Sequence, residues 1–245
     1  NTGTMPLNNK KMREALICAI DRKAIITEMY LGHATQTDSP IPPDSHLFDT
    51  SQTQHEYNPG RATTLLKSLS FKDENGDGVL EREGLEFSLK IIVAENPLQN
   101  TRADVAAMIQ DQLAAVGLKT EVQVLSWTNY VDALKTGGFD LALAGFSIGV
   151  DGDISFLVHS TTNDYNYGNY FDMDMDLLLD QYLECIKDAD AENVSSQIQK
   201  KFSEELPLIS LYFHTNSLVY SSSIKGITQA RDMNIYSNIE QWYIY

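Results

Sequence analysis

Apolar positions recur at three- and four-residue steps in some stretches of this chain and at two-residue steps in others. Val105, Met108, Ile109, Leu113 and Val116 share one helical face, while Arg102, Asp104 and Asp111 fall on the water-facing side. Gly117 suits the left-handed end of that helix. Thr120 to Leu125 then alternates polar with apolar, which is strand spacing. Ser126 suits an N-cap for a second helix, with Trp127, Tyr130, Val131 and Leu134 as its expected buried stripe and Gly137 and Gly138 as its stop. Phe139 to Phe146 is mostly apolar and reads as a strand buried on both faces. Helices between strands predict a parallel sheet, and such sheets hold ligands beyond the carboxyl ends of their strands. The glycine-rich acidic loop from Gly145 to Asp153 lies at one of those ends.

The remaining chain continues the α/β pattern without an internal repeat. Lys10 to Ile20 predicts a helix with Ala15, Leu16, Ala19 and Ile20 inward, and Asp21 caps a following helix over Arg22 to Tyr30. Pro40, Pro42 and Pro43 make residues 31–57 a long ordered loop rather than a linker between domains. Asn58 followed by Pro59 starts a short helix anchored by Leu65 and Leu66. Leu85, Phe87, Leu89 and Ile91 alternate with Glu86, Ser88 and Lys90, a strand with one wet side. Met173 to Lys187 and Asn193 to Leu206 predict two acidic helices; Pro207 ends the second and leads into a strand over Leu208 to Phe213.

Composition narrows the classes. With 245 residues and 42% hydrophobic content, the chain can bury a core in one large domain or two small ones. A formal net charge of -16 argues against nucleic acid and against an anionic membrane surface. The densest basic cluster, Lys10, Lys11 and Arg13, is interrupted by Met12 and followed by Glu14. Cys18 and Cys185 are far apart on apolar helix faces and read as buried free thiols. No stretch reaches the roughly 18 apolar residues of a membrane span, and a start at Asn-Thr-Gly-Thr reads as a processed or excised chain.

Two local motifs carry candidate chemistry. Asp73, Asn75 and Asp77 alternate ahead of Gly78 as in a calcium loop, with Glu81 at the ninth position, but the twelfth holds Gly84 where a bidentate Glu is expected. Calcium and a plain Asx/Gly turn are the two readings. Gly145-Phe146-Ser147-Ile148-Gly149 fits the G-x-S-x-G elbow of serine hydrolases and follows a predicted strand. An elbow must enter a helix at once, whereas Val150-Asp151-Gly152-Asp153 is turn chemistry. His33, His46, His55, His159 and His214 show no paired metal spacing.

An ordered series of short motifs resembles a known family. Met12-Arg13-Glu14-Ala15-Leu16, Ala19-Ile20-Asp21-Arg22, Tyr57-Asn58-Pro59 and Asp73 to Gly78 come first. Val116-Gly117-Leu118, Phe139-Asp140-Leu141 into Gly145-Phe146, and Glu205 to Tyr212 follow. Together they resemble the second lobe of extracytoplasmic peptide-binding proteins, family 5, that feed bacterial ABC importers. The resemblance implies a single α/β lobe of the type II periplasmic-binding-protein fold over residues 1–245, with a mixed, mostly parallel sheet flanked by helices. Residues 1–6 and 235–245 would lie near the crossover to a missing first lobe. It further implies a non-enzymatic role: a peptide or similar small solute held in a cleft between lobes and delivered to a membrane permease. The protein would be extracytoplasmic, in a periplasm or lipid-anchored at the cell surface, meeting the membrane only through an anchor outside this chain. No cofactor is required, with calcium as the candidate exception.

The candidate ligand-binding residues are Trp127, Phe146, Ser147, Gly149, Asp151 and Asp153. Trp127 and Phe146 match cleft-wall aromatics of the family, Phe146 standing where Trp is usual. Gly149 occupies the place of the aspartate that pairs with a peptide's amino group in the best-known members, and Asp151 and Asp153 are the nearest substitutes. Tyr165, Tyr167 and Tyr170, interleaved with Asn163, Asn166 and Asn169, resemble an aromatic segment near the cleft rim. The alternatives are a serine hydrolase using Ser147 and a solute-sensing receptor module.

Overall fold

In the computed structural model, which describes all residues except 53, 97, 99–100, 162–164, 216 and 229–234, the first elements follow their capping residues closely. Asn9 accepts from the Lys11 amide at the start of α1 (Lys10–Ala19), and Asp21 from the Ala24 amide at the start of α2 (Arg22–Tyr30). A two-residue strand, β1 (Ala34–Thr35), follows. Asn58 and Pro59 open α3 (Pro59–Ser68), where the Asn58 side chain accepts from the Arg61 amide. A tight antiparallel hairpin, β2 (Glu81–Arg82) and β3 (Leu85–Glu86), leads into the central strand β4 (Ser88–Ala94).

The main sheet is built by β4, α4 (Thr101–Ala114), β5 (Lys119–Leu125), α5 (Trp127–Thr136) and β6 (Leu141–Leu143). Its order is β5-β4-β6 and both pairings are parallel, with Ile91 opposite Val122 on one side and Leu141 on the other. The chain thus steps from β4 to β5 and then returns across β4 to lay down β6. Helices α6 (Ser155–Val158), α7 (Met173–Leu183) and α8 (Asp188–Glu205) come next. The last strands are β7 (Phe213–His214), paired antiparallel with β1, and the antiparallel pair β8 (Ile224–Lys225) and β9 (Tyr243–Ile244).

Among the described residues, three apolar clusters hold these layers. One joins α1, α3, α4 and β4 through Leu16, Leu66, Phe71, Leu89, Val105 and Leu113. A second packs α7 and α8 against the proline-bearing loop through Ile41, Met175, Ile198 and Phe202. The third seats α5 on β4 through Ile92, Tyr130, Leu134 and Phe139. Each such buried side chain contributes about 1.5–3 kcal/mol relative to exposure. Among the described residues, no helix is long and apolar enough to cross a membrane.

The structure departs from the periodicity in several places. The strand expected over Leu85 to Ile91 is broken at Phe87 into β3 and β4, with Leu85 turned out to solvent at the hairpin, and α7 ends at Leu183, short of the predicted Lys187. The strand expected over 139–146 is regular only at Leu141–Leu143, and those residues are half-buried rather than covered on both faces. Among the described residues, β6 has a strand partner on one edge only, and it lines a cavity. In the stretch Leu208 to Phe213, only Phe213 joins a strand; among the described residues the rest pairs with no strand and lines the cavity instead. Trp127 is 64% exposed, so Tyr130 and Leu134 carry the buried stripe of α5. Finally, α8 begins at Asp188, ahead of the predicted Asn193, because Asp188 and Asp190 in its first turn suit the positive end of the helix dipole. Cys18 and Cys185 are free thiols, Cys18 buried and Cys185 half-buried.

Candidate functional site

Where the strand order reverses at β4, the loops that leave β4 and β6 part company, and a cavity of about 850 Å³ opens there. One wall is the end of β6 and its loop: Leu141, Leu143, Gly145, Phe146 and Ser147. The facing wall is the segment after α8, with Leu208, Leu211, Tyr212 and His214. Apolar walls with a few placed polar groups are the make-up of a small-solute site.

Aromatic rings cluster on both walls. Phe146, 36% exposed, meets Phe156 and Tyr165 edge to face at 6.2 and 6.1 Å between centroids, and Tyr165 extends the cluster to Tyr167 at 5.9 Å. Opposite, the hydroxyls of Tyr30 and Tyr212 lie 2.8 Å apart, and the His214 ring stands edge-on to both. Burial, reinforced by that hydrogen bond, pushes the Tyr212 hydroxyl far above its ordinary pKa. The Tyr130 hydroxyl donates to the Leu143 carbonyl at 3.0 Å and is pushed up to about 12 by burial, with Arg102 acting against the shift. Both phenols therefore stay neutral across physiological pH.

Residues 1–168 match the model of the bacterial extracellular solute-binding proteins, family 5 Middle. The chain belongs to that family. Among relatives of this family 5 lobe, the oligopeptide-binding protein AppA of Bacillus subtilis is 27% identical over 242 residues, spanning 96% of this chain and 44% of AppA. The structure of AppA in complex with a nonapeptide superposes with a TM-score of 0.81 at 25% identity, covering 100% of this chain and 49% of that one. NikZ from Campylobacter jejuni, solved in complex with Ni(L-His), shares the fold with a TM-score of 0.80 at 22% identity, over 99% and 50% of the two chains. The chain therefore spans about half the length of the relatives it matches. The architecture is one α/β lobe of the type II periplasmic-binding-protein fold.

Within this family 5 lobe, the residues expected at the ligand separate into two groups. Phe146 and Ser147 line the cavity. Gly149, Asp151 and Asp153 continue past it and serve their own loop. An added Cβ on Gly149 would sit 2.6 Å from Asp151 Oδ1, the Tyr182 hydroxyl donates to the Asp151 carbonyl, and Asp153 Oδ1 accepts from the Ser155 amide at 2.8 Å. Trp127 stands outside the cavity lining, its ring 6.0 Å from that of Tyr130. Asn163 lies outside the described residues. Arg102, Tyr212 and His214 are cavity residues that periodicity did not single out. The Tyr212-His214 alternation was available as a signal, but Arg102 read only as a water-facing position.

Among the described residues, the surroundings of Ser147 do not form the nucleophile elbow that the G-x-S-x-G pattern requires. No helix follows it until Ser155, and no histidine is hydrogen-bonded to it among the described residues. His159 instead lies 3.2 Å from Asp180 and His214 packs on tyrosines. The turn at Asp73 is remote from the cavity lining. There the carboxylates of Asp73, Asp77 and Glu81 lie within 4.8 Å of one another, Asn75 donates to Asp77 Oδ2, and Asp73 accepts from the amides of Gly76 and Gly78. The Val79 amide, followed by Asn75, holds the Asp77 carboxyl below its usual range.

Proposed function

We propose that this chain is one lobe of the substrate-binding protein of a bacterial ABC importer, and that its cavity forms one bank of a cleft for a peptide or similar small solute. The observation that carries this reading is the aromatic and apolar cavity at the strand reversal of a family 5 lobe. The likeness to AppA, whose structure holds a nonapeptide, supports the solute class. Asn1 and Thr2 line the same cavity as Ser147, which agrees with an interlobe crossover near residues 1–6. The exposed Tyr243, Ile244 and Tyr245 offer apolar surface for the second crossing at 235–245.

In this reading a hinge brings a first lobe down on the solute, the enclosed form docks on a permease outside the cytoplasm, and no bond is made or broken by this chain. A net charge of -16 keeps the surface away from nucleic acid. Calcium at Asp73, Asn75, Asp77 and Glu81 would stabilise a turn and takes no part in solute binding.

Native mass spectrometry of the complete two-lobed protein, purified from its host, tests the proposal. A co-purifying peptide is the expected result. The isolated lobe should bind the same peptide more weakly by orders of magnitude, because enclosure supplies the desolvated contacts. Equal affinities for lobe and complete protein would overturn the cleft.

A further inference from the structure

We infer that Gln199 is a positioning residue for the cleft: its buried side chain fixes the proline-bearing segment 40–44 as one side of the cavity. This rests on the solute-binding reading above. Pro40, Pro42, Pro43 and Asp44 line the cavity, yet residues 36–58 hold no helix or strand among the described residues. Three of those four lining residues are prolines, which have no backbone N–H to fasten the segment to a neighbour. The fastening comes from side chains on two helices.

Gln199 sits in the middle of α8 and is 1% exposed. Its amide bonds to both flanks of the cavity-lining segment. Nε2 donates to the Leu47 carbonyl at 2.7 Å, while Oε1 accepts from the Ser39 hydroxyl at 2.8 Å and from the Asp49 amide at 3.1 Å. The Ser39 hydroxyl in turn accepts from the Ile41 amide at 3.0 Å, which extends the link into the segment itself. A primary amide donates and accepts in one plane without charge, which matches this set of partners. Farther out, Arg22 of α2 donates to the carbonyls of Thr37 and His55 at 3.2 and 2.5 Å, so the ends of the loop are held as well. Taking Gln199 away removes hydrogen bonds from buried groups on both flanks at once, and the loop between them loosens. A clamped wall meets the solute already in its bound shape, so binding does not have to order the loop.

The test uses the complete two-lobed protein and an equimolar pool of synthetic nonapeptides, the length held in the AppA structure. Mass spectrometry reads the unbound peptides across a protein titration, and wild type is expected to bind members of the pool. Gln199→Met keeps the volume, removes the hydrogen bonds and should weaken binding by about tenfold, the scale of one lost hydrogen bond and a loosened loop. Ser39→Ala should weaken it too, whereas Ser39→Thr, which keeps the hydroxyl, should bind as wild type does. Leu66→Ala, in the apolar cluster of α1 and α3 and outside the cavity lining, should lower the urea midpoint and leave affinity unchanged. Where Gln199→Met does not fold, the Ser39 pair decides. Wild-type affinity in folded Gln199→Met or in Ser39→Ala overturns the positioning role and leaves the solute reading standing. So does an equal loss in Leu66→Ala, or Ser39→Thr binding as weakly as Ser39→Ala. Binding of no peptide by wild type removes the solute reading and the inference together.

Discussion

The guanidinium of Arg22 lies 2.5 Å from the carboxylate of Asp38, and both side chains are almost wholly buried. Arg22 also donates to the carbonyls of Thr37, His55 and Ser210, at 3.2, 2.5 and 3.0 Å, while the His55 ring lies 2.7 Å from Asp38. One cation thereby ties α2 to both ends of the proline-bearing loop and to the wall segment beyond α8. Removing one member strands the other as a buried charge, at a cost of about 3–5 kcal/mol. Asp38→Ala and Arg22→Ala should each lower the urea-unfolding free energy by that much. The double variant should lose less than the sum, and full additivity would show that the two do not act as a pair.

Acid should attack the same network. Burial pushes the Asp38 carboxyl up, but the hydrogen bond from His55 and the Arg22 charge outweigh it and hold the group below its usual range. A lowered folded pKa contributes stability above the unfolded value of about 4, and that contribution is lost as pH falls through the folded value. Urea midpoints of the wild type should therefore fall below about pH 4 more steeply than those of Asp38→Asn. Parallel curves would remove Asp38 from the acid response.

Gly152 combines two constraints, a φ of +65° and a Cβ position 2.6 Å from Leu47 Cδ1. Gly76 has a φ of +81° with nothing within 4 Å of its Cβ position. Gly76→Ala should cost about 1 kcal/mol through backbone strain alone. Gly152→Ala should cost about 2–3 kcal/mol, because the packing of the loop beyond Ser147 must also shift. Equal thermal unfolding shifts for the two variants would count against the contact with Leu47.

The two aromatics expected at the ligand should behave differently. Phe146 lines the cavity and Trp127 does not. In the complete protein, Phe146→Ala should weaken peptide affinity by about tenfold, the loss of one partly buried ring, whereas Trp127→Ala should leave it unchanged. Calorimetric titration with a co-purified peptide reads both, and the reverse ranking would move the cleft wall to α5.

The Asp73–Glu81 turn is tested with calcium itself. A site of the weak extracellular kind, with a dissociation constant of about 1 mM, raises the unfolding free energy by about 1.4 kcal/mol at about 10 mM calcium. Asp77→Asn should abolish the gain. An unchanged urea midpoint in wild type would leave the segment as a plain turn, closed by its own amides.

Local chemistry determined much of this molecule from sequence alone. Asp21, Asn58 and Ser126 mark helix starts because a side-chain oxygen near its own next amides needs no distant partner. Gly137 ends α5 for an equally local reason, a φ of +73°. The ordered motifs likewise identified the family, and the pattern of helix and strand placed Phe146 and Ser147 at the end of a parallel strand. Tertiary structure alone decided the length of β6, the exposure of Trp127 and the arrival of Arg102, Tyr212 and His214 at one cavity. Periodicity reports which residues share a face, but not what stands across from that face. Here the facing wall comes from a segment far along the chain, and its distance from β6 leaves a cavity between them that no local pattern encodes.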